Sequence, residues 1–303
     1  MPQKCLIDVI LPEREVSLLG GPSGSGKTTW ALQTLVEDWQ RGKDVLGFKS
    51  HPVPWLYVSS DRSLDSVSAT MERLKISPQD LKVISCVDEE LDTMDALMKR
   101  ASQESPKPQF FFIDGFLNFL PDKISMNDNQ GVARWLKLMA RNCKKAGITI
   151  LGCLHSPKMK KDDYYTNPRQ RISGGAAWGG FSESVFLVEP VSPDDVSQAD
   201  HRRLLIIPRQ GKMIEKHLTF NTEGRLVESN EAINDDLMYA FLLGIKPGST
   251  FNVERLTSAF SSSMSPRSIY RMLEKYLQLG AIEQVSRGIY RKIAQGGMYG
   301  EPS

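Results

Sequence analysis

The chain has 303 residues and a formal net charge of +2, with 40% hydrophobic and 24% charged residues. This length suits one large domain plus a small one, and the balance is that of a globular chain, not a disordered or fibrous one. A charge so near zero means that any nucleic-acid surface must be local. No stretch approaches the roughly 18 consecutive apolar residues of a membrane helix, and the start, MPQKCLIDVILPERE, has too short an apolar run for a secretory signal. A cytoplasmic protein without a membrane partner is therefore expected. Cys5, Cys86, Cys143 and Cys153 show no C-x-x-C spacing. They are expected to be buried free thiols, with no zinc or iron site.

In chain order, a short apolar run at 16–19 ends in glycines, and a helical pattern follows over 27–41. Further apolar runs at 55–58, 110–113 and 148–154 alternate with helical patterns over 63–74, 93–102 and 130–145. Short buried strands alternating with amphipathic helices predict an α/β fold, with a mostly parallel sheet covered on both faces. Later strands are expected at 184–189, 203–208 and 215–221. Leu226 and Val227 close the last strand or hairpin, and the polar stretch after them reads as linker. The expected domains are 1–230 and 231–293, with the tail AQGGMYGEPS at 294–303 disordered.

The strongest signal is GPSGSGKT, from Gly21 through Pro22, Ser23, Gly24, Ser25, Gly26 and Lys27 to Thr28, with Thr29 next. It fits G-x-x-x-x-G-K-S/T between an apolar strand and a helix, the context that this phosphate-binding loop requires. Its glycines let backbone amides curl around phosphates, and the helix N-terminus adds a positive dipole end. Lys27 is expected to reach the β- and γ-phosphates of ATP, and Thr28 to hold a magnesium ion (Mg2+). FFFID, ending in Asp114, supplies the second magnesium carboxylate at a buried strand end.

Taken in order, GPSGSGKTTWALQ, WLYVSSDRS, FFFIDGF and ILGCLHSPK resemble the motifs of RecA-like hexameric helicases. Within that family the chain is most similar to the small RepA-type replicative helicases of plasmids and phages. The resemblance covers about residues 10–225 and implies a RecA-like P-loop NTPase fold. It places Asp61 where the family has a catalytic glutamate, the general base that polarises the attacking water. Glu72 and Glu37 are alternatives that spacing does not favour, and the plainer reading of Asp61 is a helix cap ahead of Leu64. It places His155 at the γ-phosphate sensor; a histidine held for packing alone is the other reading. In IIPRQGKMIE it implies Arg209 and Lys212 as basic fingers reaching a neighbouring subunit's nucleotide. The active form would then be a homo-oligomer, a ring of six. Solvated surface cations are the plainer reading of that pair.

The loop after His155 holds Lys158, Lys160, Lys161, Tyr164, Tyr165, Arg169 and Arg171. Basic and aromatic side chains together suit single-stranded DNA, with phosphates on the cations and bases on the rings. RecA-like motors place a channel-facing DNA loop here, and another at 118–129. Toward the C-terminus, helices are expected at 235–243, 253–260 and 265–279, followed by a hairpin around Arg287-Gly288. Three helices and a wing resemble a winged helix-turn-helix. Its recognition helix would present Arg267, Ser268, Tyr270, Arg271 and Lys275 to duplex DNA, with Arg287 at the wing tip. Winged helices also serve as protein-docking modules.

The leading expectation is an ATP-dependent DNA motor, a hexameric replicative helicase of a plasmid, phage or mobile element. The alternative is a RecA-like DNA-binding ATPase that uses ATP as an assembly switch without unwinding. A small-molecule kinase is disfavoured, because no arginine-rich acceptor lid is found in the sequence.

Overall fold

The structure, a computed structural model, describes residues 3–156, 168–172, 176–191, 200–229, 241–242, 244–260, 266–278 and 280–293. The chain divides into two compact units, Met1–Glu228 and Ser229–Ser303.

The first unit is built on nine strands, the first six almost wholly buried and the last three partly exposed. They are β3 (Val16–Gly20), β4 (Trp55–Ser59), β5 (Val83–Ser85), β6 (Phe110–Asp114), β7 (Thr149–Cys153), β8 (Ser184–Pro190), β9 (His201–Pro208), β10 (Ile214–Phe220) and β11 (Leu226–Glu228). They form a nine-stranded sheet in the order β11-β10-β9-β8-β3-β7-β6-β4-β5. From β8 to β5 every pairing is parallel, and β9, β10 and β11 extend the sheet antiparallel on the β8 side. A small hairpin of β1 (Cys5–Ile7) and β2 (Leu11–Pro12) precedes the sheet.

Side chains alternate between two cores, as the pleat requires. Leu19, Phe110 and Phe112 join one core, and Leu18, Phe111 and Ile113 the other. This is why the strands read as unbroken apolar runs. α1 (Lys27–Gln33) and α2 (Leu64–Arg73) bury Trp30, Val67 and Met71 in the first core. α3 (Met94–Ala101), α4 (Asn129–Ala146) and α5 (Ala177–Phe181) bury Leu97, Trp135 and Trp178 in the second.

Helix ends follow local chemistry. Ser63 and Thr93 cap α2 and α3 by accepting from Ser66 N and Ala96 N. Asp128 caps α4, which stops at Gly147 with φ 70°. The helix expected over 27–41 is α-helical only to Gln33 and continues as a π-type stretch, Thr34–Trp39. All the cysteines are free, and Cys86, Cys143 and Cys153 are buried. Cys5 is only half-buried, a correction to the expected burial, because it sits in the small N-terminal hairpin.

The second unit has its own core of Phe251, Leu256, Phe260, Ile269, Leu273 and Tyr290, among others. Its described elements are β12 (Thr250–Asn252), α6 (Val253–Phe260), α7 (Pro266–Gln278), β13 (Ile282–Ser286) and β14 (Ile289–Lys292). The strands form an antiparallel sheet in the order β12-β14-β13. Gly280 (φ 67°) follows α7, and Gly288 (φ 74°) makes the β13–β14 turn. Most of the helix expected at 235–243 and all of the tail at 294–303 lie outside the described residues. Among the described residues, no helix is long and apolar enough to cross a membrane.

Candidate functional site

The site forms at the carboxyl ends of β3, β4, β6 and β7, where open α/β sheets take ligands. The loop between β3 and α1 is shaped by close approach. A Cβ on Gly21 (φ 154°) would lie 2.3 Å from the Val188 carbonyl, and one on Gly26 (φ 95°) would strike Phe220 and Leu226. Ser23 and Gly24 are exposed at the rim. The Ser25 hydroxyl is buried and lacks a hydrogen-bond partner, a donor left open inside the loop. The Ser25 carbonyl accepts a hydrogen bond from Arg202 Nε at 3.0 Å, which ties the loop to the start of β9.

Lys27 is only 6% exposed. Its Nζ donates to the carbonyls of Gly21 and Pro22, each at 2.9 Å, and lies 3.5 Å from His155 Nδ1. Burial lowers its pKa, against the opposing influence of Cys153 and Asp114. It is a buried cation with incomplete compensation, which a phosphate would supply. His155 itself is exposed.

Asp114 ends β6 in register with Ser59 of β4. Its Oδ2 accepts from Thr28 Oγ1 at 2.8 Å, from Tyr57 OH at 3.2 Å and from Arg62 Nη2 at 2.8 Å. Burial first, then the neighbouring Asp114 carboxylate, pushes the Tyr57 phenol pKa up, so it remains a donor. Burial opposes the Arg62 charge, but Tyr57, Asp114 and Asp61 together outweigh it and raise its pKa. The Cys153 thiol is likewise pushed well up, by burial and then by Asp114. Thr28 and Asp114 thus converge two hard oxygen donors. That fits magnesium, which takes one or two protein ligands and fills the rest of its shell with phosphate oxygens and water. Among the described residues there is no separate cluster of three or more His, Cys, Asp or Glu.

Asp61 stands exposed just past β4, and a Cβ on Gly115 would come within 3.3 Å of its carboxyl carbon. Ser63, not Asp61, supplies the side-chain cap of α2. Of the alternatives, Glu37 is held by Arg225 and Glu72 is exposed on α2. Lys27, Thr28, Asp114, His155 and Asp61 therefore gather at one end of the sheet.

Arg62 and Tyr57 are the site groups that sequence reasoning missed. Each looks incidental within WLYVSSDRS, and only the β4–β6 pairing brings them to Asp114. A tyrosine hydroxyl inside an otherwise apolar strand was the available signal. A cavity of about 1020 Å³ lies beside this cluster and not in it, bounded by Ser60, Asp92, Asn118, Asp122 and Trp135. The chemistry is placed by the loop and the carboxylates, not by cavity size.

The remaining expected residues lie elsewhere. Arg209 and Lys212 are exposed in the β9–β10 turn, with Arg209 Nη1 2.9 Å from Glu183 Oε1. Arg169 and Arg171 differ from the expectation of free DNA-facing cations. Arg169 donates to the backbone carbonyls of Gly179, Ser182, Glu183 and Ile207. Arg171 is bonded at 2.9 Å to Glu189, which is fully buried and also accepts from Arg203. A buried carboxylate needs such partners, so these guanidinium groups are committed to the fold. Lys158, Lys160, Lys161, Tyr164 and Tyr165 lie outside the described residues, as do the side chains of Arg267, Ser268 and Lys275. In the second unit Tyr270 and Arg287 are exposed and Arg271 is half-buried.

A family model described as AAA domain matches residues 1–161. No curated protein matches the chain. Among solved structures, it is similar to a KaiC-like protein from the hyperthermophilic archaeon Pyrococcus horikoshii OT3, with a TM-score of 0.50 at 14% identity. That alignment covers 75% of this chain and 100% of the other, and at such identity the likeness is one of fold alone. With the match extending over more than half of its length, the chain belongs to the AAA domain family, as a RecA-like P-loop ATPase built on a mostly parallel sheet.

Proposed function

We propose that this protein is an ATP-dependent DNA motor, a hexameric replicative helicase of a plasmid, phage or mobile element. One observation carries the reading: the separation between the phosphate site and the exposed cations of the β9–β10 turn. β8 lies parallel to β3, so its carboxyl end is beside the phosphate loop. β9 runs back antiparallel, which leaves Arg209 next to Glu183, at the amino end of β8. A seven-residue strand spans roughly 20 Å. Arg209 and Lys212 are thus too far away to serve their own chain's nucleotide and are exposed for a neighbour's. This favours a ring with ATP between subunits.

In this reading Lys27 binds the β- and γ-phosphates, and Thr28 and Asp114 hold magnesium. Bound magnesium neutralises charge on those phosphates. Asp61 takes a proton from the attacking water as its oxygen bonds the γ-phosphorus and the bridging bond to the β-phosphate breaks. His155, beside Lys27, senses the γ-phosphate and passes its loss to the loop that follows. Arg209 and Lys212 stabilise the charge developing across the subunit boundary.

Residues 1–230 would be the motor and 231–293 a winged helix that recruits it to DNA. Tyr270 and Arg287 share one concavity of about 680 Å³ in the second unit, which suits a DNA backbone meeting both helix and wing. Lys158, Lys160 and Lys161 would hold a single strand.

One observation favours a slower, non-unwinding assembly switch. Asp61 is a short carboxylate, and Arg62 Nε lies 4.0 Å from it. A carboxylate one methylene shorter than the family's glutamate reaches less far, and a general base must come within hydrogen-bond reach of the attacking water. The deciding measurement is ATP hydrolysis without DNA, with duplex and with single strands, beside Lys27→Ala. Strong single-strand stimulation, absent from the variant, supports the motor. Slow, DNA-indifferent turnover sinks the motor and supports the switch.

A further inference from the structure

Arg62 has no part in the hydrolysis scheme above, yet its guanidinium sits on the carboxylate meant for the metal. Its Nη2 is 2.8 Å from Asp114 Oδ2, the same oxygen that Thr28 Oγ1 meets at 2.8 Å. It is also fixed from behind: Nη2 donates to the Tyr57 hydroxyl at 2.7 Å, and Nη1 to Thr70 Oγ1 at 3.2 Å on α2. The side chain is 29% exposed and that of Asp114 is 12% exposed, so solvent screens this pair only in part.

We propose that Arg62 is a built-in cation that occupies the magnesium position of the nucleotide site and competes with the ion for Asp114. Three physical points support it. A carboxylate oxygen already accepting from a hydroxyl, a phenol and a guanidinium has little lone-pair capacity left for a cation. One cationic partner must therefore leave when the other arrives, and the guanidinium is the one on a flexible stem. It also has somewhere to go, because the Asp61 carboxylate lies 4.0 Å from Nε. Finally, while Arg62 stays, it brings positive charge beside Thr28 at the end of the phosphate loop, so triphosphate can bind without metal.

Competition for one oxygen is a negative coupling, and coupling free energies are reciprocal. Removing the Arg62 charge should tighten magnesium binding and weaken metal-free nucleotide binding, two opposite shifts that mere loosening of the fold would not produce.

This inference rests on the nucleotide site of the proposed function, and its test separates the two. Binding of a fluorescent ATP analogue to the full chain is measured in EDTA and across a magnesium titration, for wild type, Arg62→Gln and Arg62→Lys. For Arg62→Gln the half-saturating magnesium concentration should fall by about tenfold, and affinity in EDTA should fall by a similar factor. Arg62→Lys keeps the charge but not the planar fork, and should lie between. Thr70→Val, which frees the guanidinium from α2 without touching Asp114, should shift the magnesium midpoint the same way by a smaller factor. It serves as the readout if Arg62→Gln does not fold. Superimposed titrations for wild type and variants, with tight wild-type binding, overturn the role of Arg62 alone. No wild-type binding at any magnesium level overturns the nucleotide reading together with it.

Discussion

The two ends of the central sheet are built on different terms. At the carboxyl end of β3, β6 and β7, Lys27 donates to the Gly21 and Pro22 carbonyls at 2.9 Å and Thr28 donates to Asp114 at 2.8 Å. Arg202, Tyr57 and Arg62 brace them further. At the other end, the turn of Arg209, Gln210, Gly211, Lys212 and Met213 is exposed throughout, and Met213 is 50% exposed although apolar. One end holds its charges in a fixed, buried array. The other carries Arg209, paired with Glu183, and Lys212 on an exposed turn. Preorganised charge needs no rearrangement during reaction, whereas exposed cations act only once a partner orders them. On the proposed function, the first end carries the phosphate and magnesium ligands within one chain, and the second would act on the nucleotide of another copy.

The largest expected effect comes from Lys27→Ala. Hydrolysis should fall to background, and the ATP-dependent rise in melting temperature should vanish. That rise in the wild type should correspond to about 2.7 kcal/mol at a hundredfold excess of ATP over Kd. Lys27 is a cation whose burial lowers its pKa. Burying that ammonium costs the unliganded fold, so the unliganded variant should melt no lower than about 2 °C below wild type. A variant that still hydrolyses ATP would break the assignment of the carboxyl end.

Arg209→Ala comes next, with kcat falling by about a thousandfold and nucleotide affinity retained. Mixing is the sharper test. Arg209→Ala subunits keep an intact phosphate loop, and Lys27→Ala subunits keep an intact finger. Co-assembled, they should regain activity that neither has alone, because some boundaries then pair both intact halves. If mixtures stay inactive while assembling normally, the division of labour between the ends is wrong.

Asp61→Asn should lower kcat by about a hundredfold or more, with ATP binding unchanged. Asp61→Glu should raise kcat if reach limits the base, since its carboxyl is exposed and not held by a strong hydrogen bond. A Glu variant slower than wild type would favour the assembly switch.

How much of this the sequence disclosed depends on whether a feature is local. The phosphate loop, the strand ending in Asp114 and the alternation of strands and helices are written in consecutive residues, and each was legible. Asp128 and Gly147 at the ends of α4 are equally local signals. Three things were not local. β5 is only three residues long and sits at the sheet edge, too short for a period to show. Arg62 meets Asp114 only through the β4–β6 pairing, across 52 positions of chain. Arg169 and Arg171, in a run of basic residues, read as a DNA loop because composition cannot distinguish a solvated guanidinium from one whose carbonyl partners lie up to 38 positions away.

That last distinction gives the smallest effect and the finest test of the contrast between committed and free cations. Arg169 bridges α5 and β9 by donating to the Gly179 and Ile207 carbonyls. Its backbone packs as tightly: a Cβ on Gly179 would lie 1.9 Å from the Arg169 carbonyl. Arg169→Ala should cost about 2–4 kcal/mol and lower the melting temperature by roughly 5–15 °C, with little change in single-strand affinity at low temperature. Lys158→Ala should do the reverse, leaving the melting temperature in place and reducing the salt dependence of DNA binding by about one unit of slope. If Arg169→Ala instead melts like wild type and loses DNA affinity, its guanidinium belongs with the free cations, and the buried clamp is not what holds this part of the fold.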